Sequence, residues 1–216
     1  MEGLTLIQKI VVWVIPVIFA ITVHEVAHGW VAKQYGDKTA WMLGRLTLNP
    51  LKHIDLVGTI LVPGLMLAFT GFVFGWAKPV PVNIRNLRNP KHDMAIVALA
   101  GPVANLLMAL GWALFARIGI LINIPDVSVP MALVGIAGIM INLVLALLNL
   151  LPIPPLDGSR ILSWILPGSL SYYYNQFERY GFFLLVFLLW TNSLDTILGV
   201  PLNMAKNLFF AIAGLQ

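Results

Sequence analysis

Ile10-Val11-Val12-Trp13-Val14-Ile15-Pro16-Val17-Ile18-Phe19-Ala20-Ile21-Thr22-Val23-His24-Glu25-Val26-Ala27-His28 is the stretch on which the reading of this chain turns. An uncharged run from Ile10 to Val23 leads straight into two histidines and a glutamate, with no helix breaker inside the final pattern. With a helix starting near Leu4 and rising about 1.5 Å per residue, His24 comes roughly 30 Å along the axis, about one hydrocarbon core from its start. Lys9 at the near interface would leave it several ångströms inside. Ionisable groups at such depth are costly, so they generally serve a site.

The composition around this stretch agrees with a membrane solvent. Of 216 residues, 59% are hydrophobic and 10% charged, and the mean hydropathy is +0.89, whereas a soluble domain carries about 25% charged residues. The expected fold class is an all-α polytopic membrane protein with about five to six membrane segments. Uncharged stretches run from Ile10 to Val23, Leu56 to Ala77, Met94 to Ala116, Val127 to Leu156, Ile161 to Phe177 and Tyr180 to Leu194, with a weaker apolar tail from Thr196 broken by Lys206. One integral-membrane domain, residues 1–216, is expected, with a core over 6–160 and C-terminal helices over 161–216. Met1-Glu2-Gly3 has neither a basic n-region nor a small-residue cleavage site, so no removable signal peptide is expected.

The absence of cysteine excludes a disulfide framework, a thiolate zinc site and a cysteine nucleophile. A formal charge of +4 in so apolar a chain marks cytoplasmic loops, so no nucleic-acid partner is expected. Eight of the thirteen basic residues lie in two connections: Lys33, Lys38, Arg45 and Lys52, then Lys78, Arg85, Arg88 and Lys91. Between the last four, Pro79, Pro81 and Pro90 predict an extended loop.

His24-Glu25-Val26-Ala27-His28 is an H-E-x-x-H pattern. On a helix His24 and His28 share a face and can bind one zinc ion, while Glu25 can reach a water there as general base. A catalytic zinc usually takes three protein ligands, so a partner is needed elsewhere. Asp93, Asp126, Glu178 and Asp195 flank apolar runs as loop charges do. Asp157 follows the longest uncharged stretch, in Asn149-Leu150-Leu151-Pro152-Ile153-Pro154-Pro155-Leu156-Asp157-Gly158, where three prolines break the helix. Alone this is an Asp-Gly turn; beside H-E-x-x-H in an acid-poor chain, Asp157 is the expected third ligand. Asn149 has two readings, an oxyanion donor or an interhelical hydrogen bond to backbone, Asn142 or Asn105. Asn105, after Gly101-Pro102, reads as an interface residue. Arg45, Asn49, His53 and Asp55 form a polar patch that either lines the site's mouth or is a solvated loop.

With these residues in place, the chain resembles the site-2 protease family of intramembrane zinc metalloproteases, in the small bacterial type without a PDZ or CBS domain. His24 to His28 and Asn149 to Gly158 correspond to the family's H-E-x-x-H helix and N-x-x-P-x-P-x-L-D-G element. Gly44 to Pro50, Gly75 to Asn83 and Ala100-Gly101-Pro102-Val103-Ala104-Asn105 extend the match. The resemblance implies one zinc per chain on His24, His28 and Asp157, Glu25 as catalytic base, and Asn149 on the substrate or oxyanion side. It also implies a single-pass transmembrane protein or peptide as substrate, cleaved within the lipid bilayer of the cell membrane. A metal-ion transporter or channel is the rival reading; it has no need of a glutamate beside a ligating histidine, and no internal repeat is found.

Geometry constrains topology. If His28 lies near one face, Asp157 must reach the same depth, so Val129 to Leu151 runs toward that face and Met94 to Ala116 away from it. Both basic connections then share the face only if Leu56 to Ala77 is re-entrant, for which Pro63-Gly64 provides a bend. The positive-inside rule names that face cytoplasmic.

Overall fold

The computed structural model describes residues 4–62, 64–66 and 75–215. The chain is an all-α polytopic membrane protein, with no strand among the described residues. Helix α1, Leu6–Gln34, begins at a reciprocal cap: Gln8 N–H donates to Thr5 Oγ1 (3.3 Å) and Thr5 N–H to Gln8 Oε1 (2.9 Å). Its 29 residues make about 44 Å of helix, more than the roughly 30 Å of a hydrocarbon core. A single turn, α2 (Thr39–Met42), follows, and then α3, Pro90–Ile122, and α4, Pro125–Asn149. A proline opens each of the last two, where the missing N–H costs nothing. Between them Asn123, at φ 53°, reverses the chain, so α3 and α4 form an antiparallel hairpin. Ala109, Ala113 and Ala116 of α3 pack against Ile139 and Leu143 of α4, all fully buried. Such small side chains let membrane helices approach closely enough for packing to hold them together.

Three short helices come next: α5 (Asp157–Ile165), α6 (Gly168–Gln176) and α7 (Glu178–Trp190), followed by α8 (Ser193–Ala213). Ala213, Leu202, Ala205 and Phe209 seat α8 on the α3–α4 pair. Among the described residues, four helices are long and apolar enough to cross a membrane: α1, α3, α4 and α8. With the re-entrant stretch from Leu56 they agree with about five membrane segments, while the boundaries at the C-terminal end differ from those expected. The stretch from Ile161 to Phe177 is not one segment. Pro167 pushes Leu166 to φ −66°, ψ 143° and splits it into two nine-residue helices, each about 14 Å long. The stretch from Tyr180 to Leu194 makes a 13-residue helix of about 20 Å, ended by Asn192 at φ 55°. The tail read as weaker instead forms the 21-residue α8.

Side-chain contacts set the direction of each helix. His28 Nδ1 meets Val97 O (2.7 Å), and Ala20 O accepts from Asn105 Nδ2 (3.4 Å). Moving back eight residues in α1 therefore moves forward eight in α3, and the two are antiparallel. The end of α1 and the start of α3 share one face. The connection over 35–89, whose sequence carries eight basic residues counting Lys33 and Lys91 at the margins, leaves from that face and returns to it. Within it, Lys78 N–H donates to His53 O (2.9 Å), Trp76 N–H to Gly58 O (3.0 Å) and the Thr59 hydroxyl to Trp76 O (2.9 Å). The segment from 60 to 75 thus starts and finishes side by side, as a re-entrant course requires. The bend expected at Pro63, and residues 67–74, lie outside the described residues.

The polar patch of this connection folds the loop locally. Asn49 caps a 3-10 turn, Pro50–Lys52, and Asp55 accepts from Val57 and Gly58 N–H at the start of Leu56–Leu61. Arg45 donates to Lys78 O (3.0 Å), and His53 Nε2 lies 2.9 Å from Thr47 O. Asp37 ties the exit of α1 to the return limb, accepting from Thr39 Oγ1 (2.5 Å), Asn86 Nδ2 (2.9 Å) and Asn83 N–H (2.7 Å). Burial pushes the Asp37 carboxyl up, but these donors outweigh it and hold its pKa below the ordinary value.

Candidate metal centre

His24 and His28 lie one turn apart on the inner face of α1, each less than a tenth exposed. Their outer nitrogens are engaged: His28 Nδ1 with Val97 O at 2.7 Å, and His24 Nδ1 with Asn105 Oδ1 at 2.5 Å. Both acceptors belong to α3. Their Nε2 atoms turn inward, 3.0 Å apart. The α3 backbone comes this close because residue 101 is glycine: a Cβ there would sit 2.5 Å from His24 Cε1 and His28 Nε2.

Asp157 arrives from the far side of the fold. After α4 ends, residues 151–156 form an irregular loop containing a cis Pro154–Pro155 bond, and Asp157 is the first residue of α5. The Tyr174 hydroxyl donates to Pro152 O (2.8 Å), tying α6 to this loop. Gly158 lets α5 start directly against the carbonyl of Leu150, where any Cβ would collide. Asp157 Oδ2 then lies 3.2 Å from His24 Nε2 and 3.3 Å from His28 Nε2.

His24, His28 and Asp157 are the group of metal-capable side chains found among the described residues. The donor set fits zinc. With both Nδ1 atoms donating outward, three lone pairs converge, and Asp157 Oδ2 is buried without a hydrogen-bond donor. Such an arrangement is repulsive unless a metal ion or a shared proton lies among them. Ligands at 2.0–2.1 Å in a tetrahedral zinc site lie roughly 3.3–3.4 Å apart, and the three separations here are 3.0, 3.2 and 3.3 Å.

Glu25 neighbours the cluster on α1. Its Oε2 accepts the backbone N–H of Val80 at 2.7 Å, so the irregular return limb over 75–83 lies across this side of the site. Asn149 ends α4, and its Nδ2 donates to Leu145 O (2.9 Å) in the same helix. That bond uses one of two amide hydrogens.

A family model described as Peptidase family M50 matches residues 116–191. "Putative zinc metalloprotease YwhC" of Bacillus subtilis (strain 168) is 39% identical over 202 residues, covering 90% of this chain and 87% of the relative. The chain belongs to peptidase family M50. "Putative zinc metalloprotease Rip2" of Mycolicibacterium smegmatis is 33% identical over 180 residues, 82% of this chain and 66% of that one. A third relative with the same style of name, MJ0611 of Methanocaldococcus jannaschii, is 33% identical over 144 residues, 65% of this chain and 63% of that one. No solved structure matches. The M50 match takes in Asn149 to Gly158, whereas His24 to His28 precede it in the chain. In this M50 chain Asn105 and Val80 touch the site, and sequence reading had assigned neither to it. The signal for Asn105 was its place four residues, about one turn, after Gly101.

Proposed function

We propose that this chain is an intramembrane zinc metalloprotease that hydrolyses peptide bonds within or near transmembrane segments of single-pass membrane proteins. The observation that carries the reading is the convergence of His24 Nε2, His28 Nε2 and Asp157 Oδ2 with Glu25 beside them. His24, His28 and Asp157 would hold one zinc ion per chain, which would supply Lewis acidity toward a peptide carbonyl and lower the pKa of a bound water toward about 7.

The protein's own part begins with Glu25. Its carboxylate takes a proton from the attacking water as the new C–O bond forms, and returns it to the amide nitrogen as the C–N bond breaks. Val80 N–H occupies Oε2, which leaves Oε1 for that proton. The second amide hydrogen of Asn149 is the candidate donor to the developing oxyanion. A peptide bond inside a helix is hidden by its own hydrogen bonds, so the substrate must unwind locally.

The face shared by the end of α1 and the start of α3 is read as cytoplasmic, because it gathers the basic connections; the protein then resides in the cell membrane with its site nearer the cytoplasm. Metal analysis of the purified chain, together with cleavage of a model transmembrane substrate, tests the proposal. One zinc per chain and cleavage abolished by Glu25→Gln support it. Metal that crosses a vesicle membrane without any proteolysis would instead make it a transporter.

A further inference from the structure

A histidine nitrogen can bind a metal ion only when it carries no proton, and a neutral ring holds its one proton on either nitrogen. At His28 a backbone carbonyl settles the choice. Val97 O can only accept, so Nδ1 carries the proton and Nε2 is open. His24 faces a side-chain amide instead, and an amide can present oxygen or NH2. Presenting NH2 would occupy the lone pair on Nδ1, put the proton on Nε2, and aim it at Asp157 and His28.

Asn105 presents oxygen, and the reason lies further from the site. Its Nδ2 donates to Asn142 Oδ1 (2.9 Å) and faces Ala20 O (3.4 Å). Turned over, its oxygen would confront two acceptors. Asn142 could flip as well, but its Nδ2 donates to Gly138 O (2.9 Å), a backbone carbonyl that can only accept. Gly138 O orients Asn142, Asn142 orients Asn105, and Asn105 orients the His24 proton. Both asparagines are 0% exposed, so no solvent offers either amide a substitute partner.

We propose that Asn105 and Asn142 form a buried relay from α4 through α3 to α1, which holds His24 in the Nδ1–H form with Nε2 open to a metal ion. The pair are positioning residues, and the inference rests on His24 being a ligand. Partners of this kind on metal-binding histidines typically change metal affinity by 10–100-fold. A pair serving helix packing alone would alter stability and leave metal affinity unchanged.

The test uses the full chain in detergent, with zinc affinity measured by chelator competition and the visible spectrum recorded with Co2+. The variants are Asn105→Leu, Asn105→Asp and Asn142→Leu, with His24→Ala as reference. Asn105→Leu should weaken zinc about 10–100-fold and shift the Co2+ bands. Asn105→Asp should bind zinc more tightly than Asn105→Leu but less tightly than wild type, since one carboxyl oxygen still accepts from Nδ1–H while the other faces Asn142 Oδ1 and Ala20 O. Asn142→Leu should weaken zinc less than Asn105→Leu, since Asn105 keeps its bond to Ala20 O. Wild-type affinity in folded Asn105→Leu, or equal weakness in the Leu and Asp variants, would overturn the relay. If Asn105→Leu fails to fold, wild-type affinity in Asn142→Leu overturns it equally. Undiminished zinc binding in His24→Ala would sink the ligand reading and the relay together, whereas a loss there with no effect at Asn105 would sink the relay alone.

Discussion

Gly101 and Glu25 separate two ways of disabling the site. Adding one methyl at residue 101 places a carbon 2.5 Å from both imidazoles, and neither ring can retreat without leaving Val97 O or Asn105 Oδ1. Gly101→Ala should therefore lower zinc affinity by at least about tenfold while the helical content stays intact; circular dichroism with zinc titration checks it. Glu25→Gln keeps the shape and loses the proton acceptor. It should retain full zinc and cut proteolysis by roughly a hundredfold or more, measured as metal content beside substrate turnover. His24, Glu25, His28 and Asp157 were legible in the sequence because ionisable side chains are rare in an apolar chain and their spacing restricts what they can do. Gly101 and Asn105 were not, because a glycine or a buried amide acquires its role from what lies across the helix interface.

Among the elements, the return limb over 75–83 has two separable jobs. Val80 N–H holds Glu25, and Val80→Pro deletes that donor in a stretch already flanked by Pro79 and Pro81. Losing one hydrogen bond to a charged group is worth about 1.5–3 kcal/mol, so turnover should fall on the order of tenfold to a hundredfold with zinc content unchanged. Asp37 anchors the same limb near Asn83 and Asn86. Its folded pKa is depressed, so its contribution is complete above the ordinary carboxylate value of about 3.9 and is lost as pH falls through the lower folded one. Amide exchange around residues 83–86 should accelerate in wild type at the acid end of that range. In Asp37→Asn it should be fast at every pH, because the neutral amide offers these donors a weaker acceptor. The helix boundaries at the C-terminal end escaped sequence reading for a related reason: Pro167 and Asn192 each end a helix inside uncharged sequence, where hydropathy shows no boundary.

At the scale of the whole molecule, the prediction concerns sidedness. The chain has no cysteine, so single cysteines at Lys52 and Arg85, both exposed, can be labelled without background. They should react with an impermeant thiol reagent from the same face, and that face should be cytoplasmic. Labelling from opposite faces would mean that the 56–77 segment crosses the membrane. With that orientation, a single-pass substrate should be cut nearer its cytoplasmic end than the bilayer centre, which mass spectrometry of the two fragments can locate. Glycine, asparagine or proline near the cut should speed cleavage over an all-leucine segment, since opening the helix precedes attack.

Composition and spacing alone were enough for a membrane-embedded helical chain with His24, His28, Glu25 and Asp157 as its candidate reactive set, because the cost of placing charge in lipid leaves few purposes for such residues. Helix direction was also within reach: two candidate ligands on α1 and one after α4 can meet only if α3 runs back between them. Whether the ligands' donor atoms meet at bonding range depended on the folded chain. That outcome rests on Gly101 admitting the α3 backbone beneath the rings, on Gly158 bringing α5 against the end of α4, and on Val97 and Asn105 turning each imidazole. These contacts join residues more than sixty positions apart in sequence, or pair a missing side chain with a neighbour's bulk, and neither leaves a periodic mark along the chain.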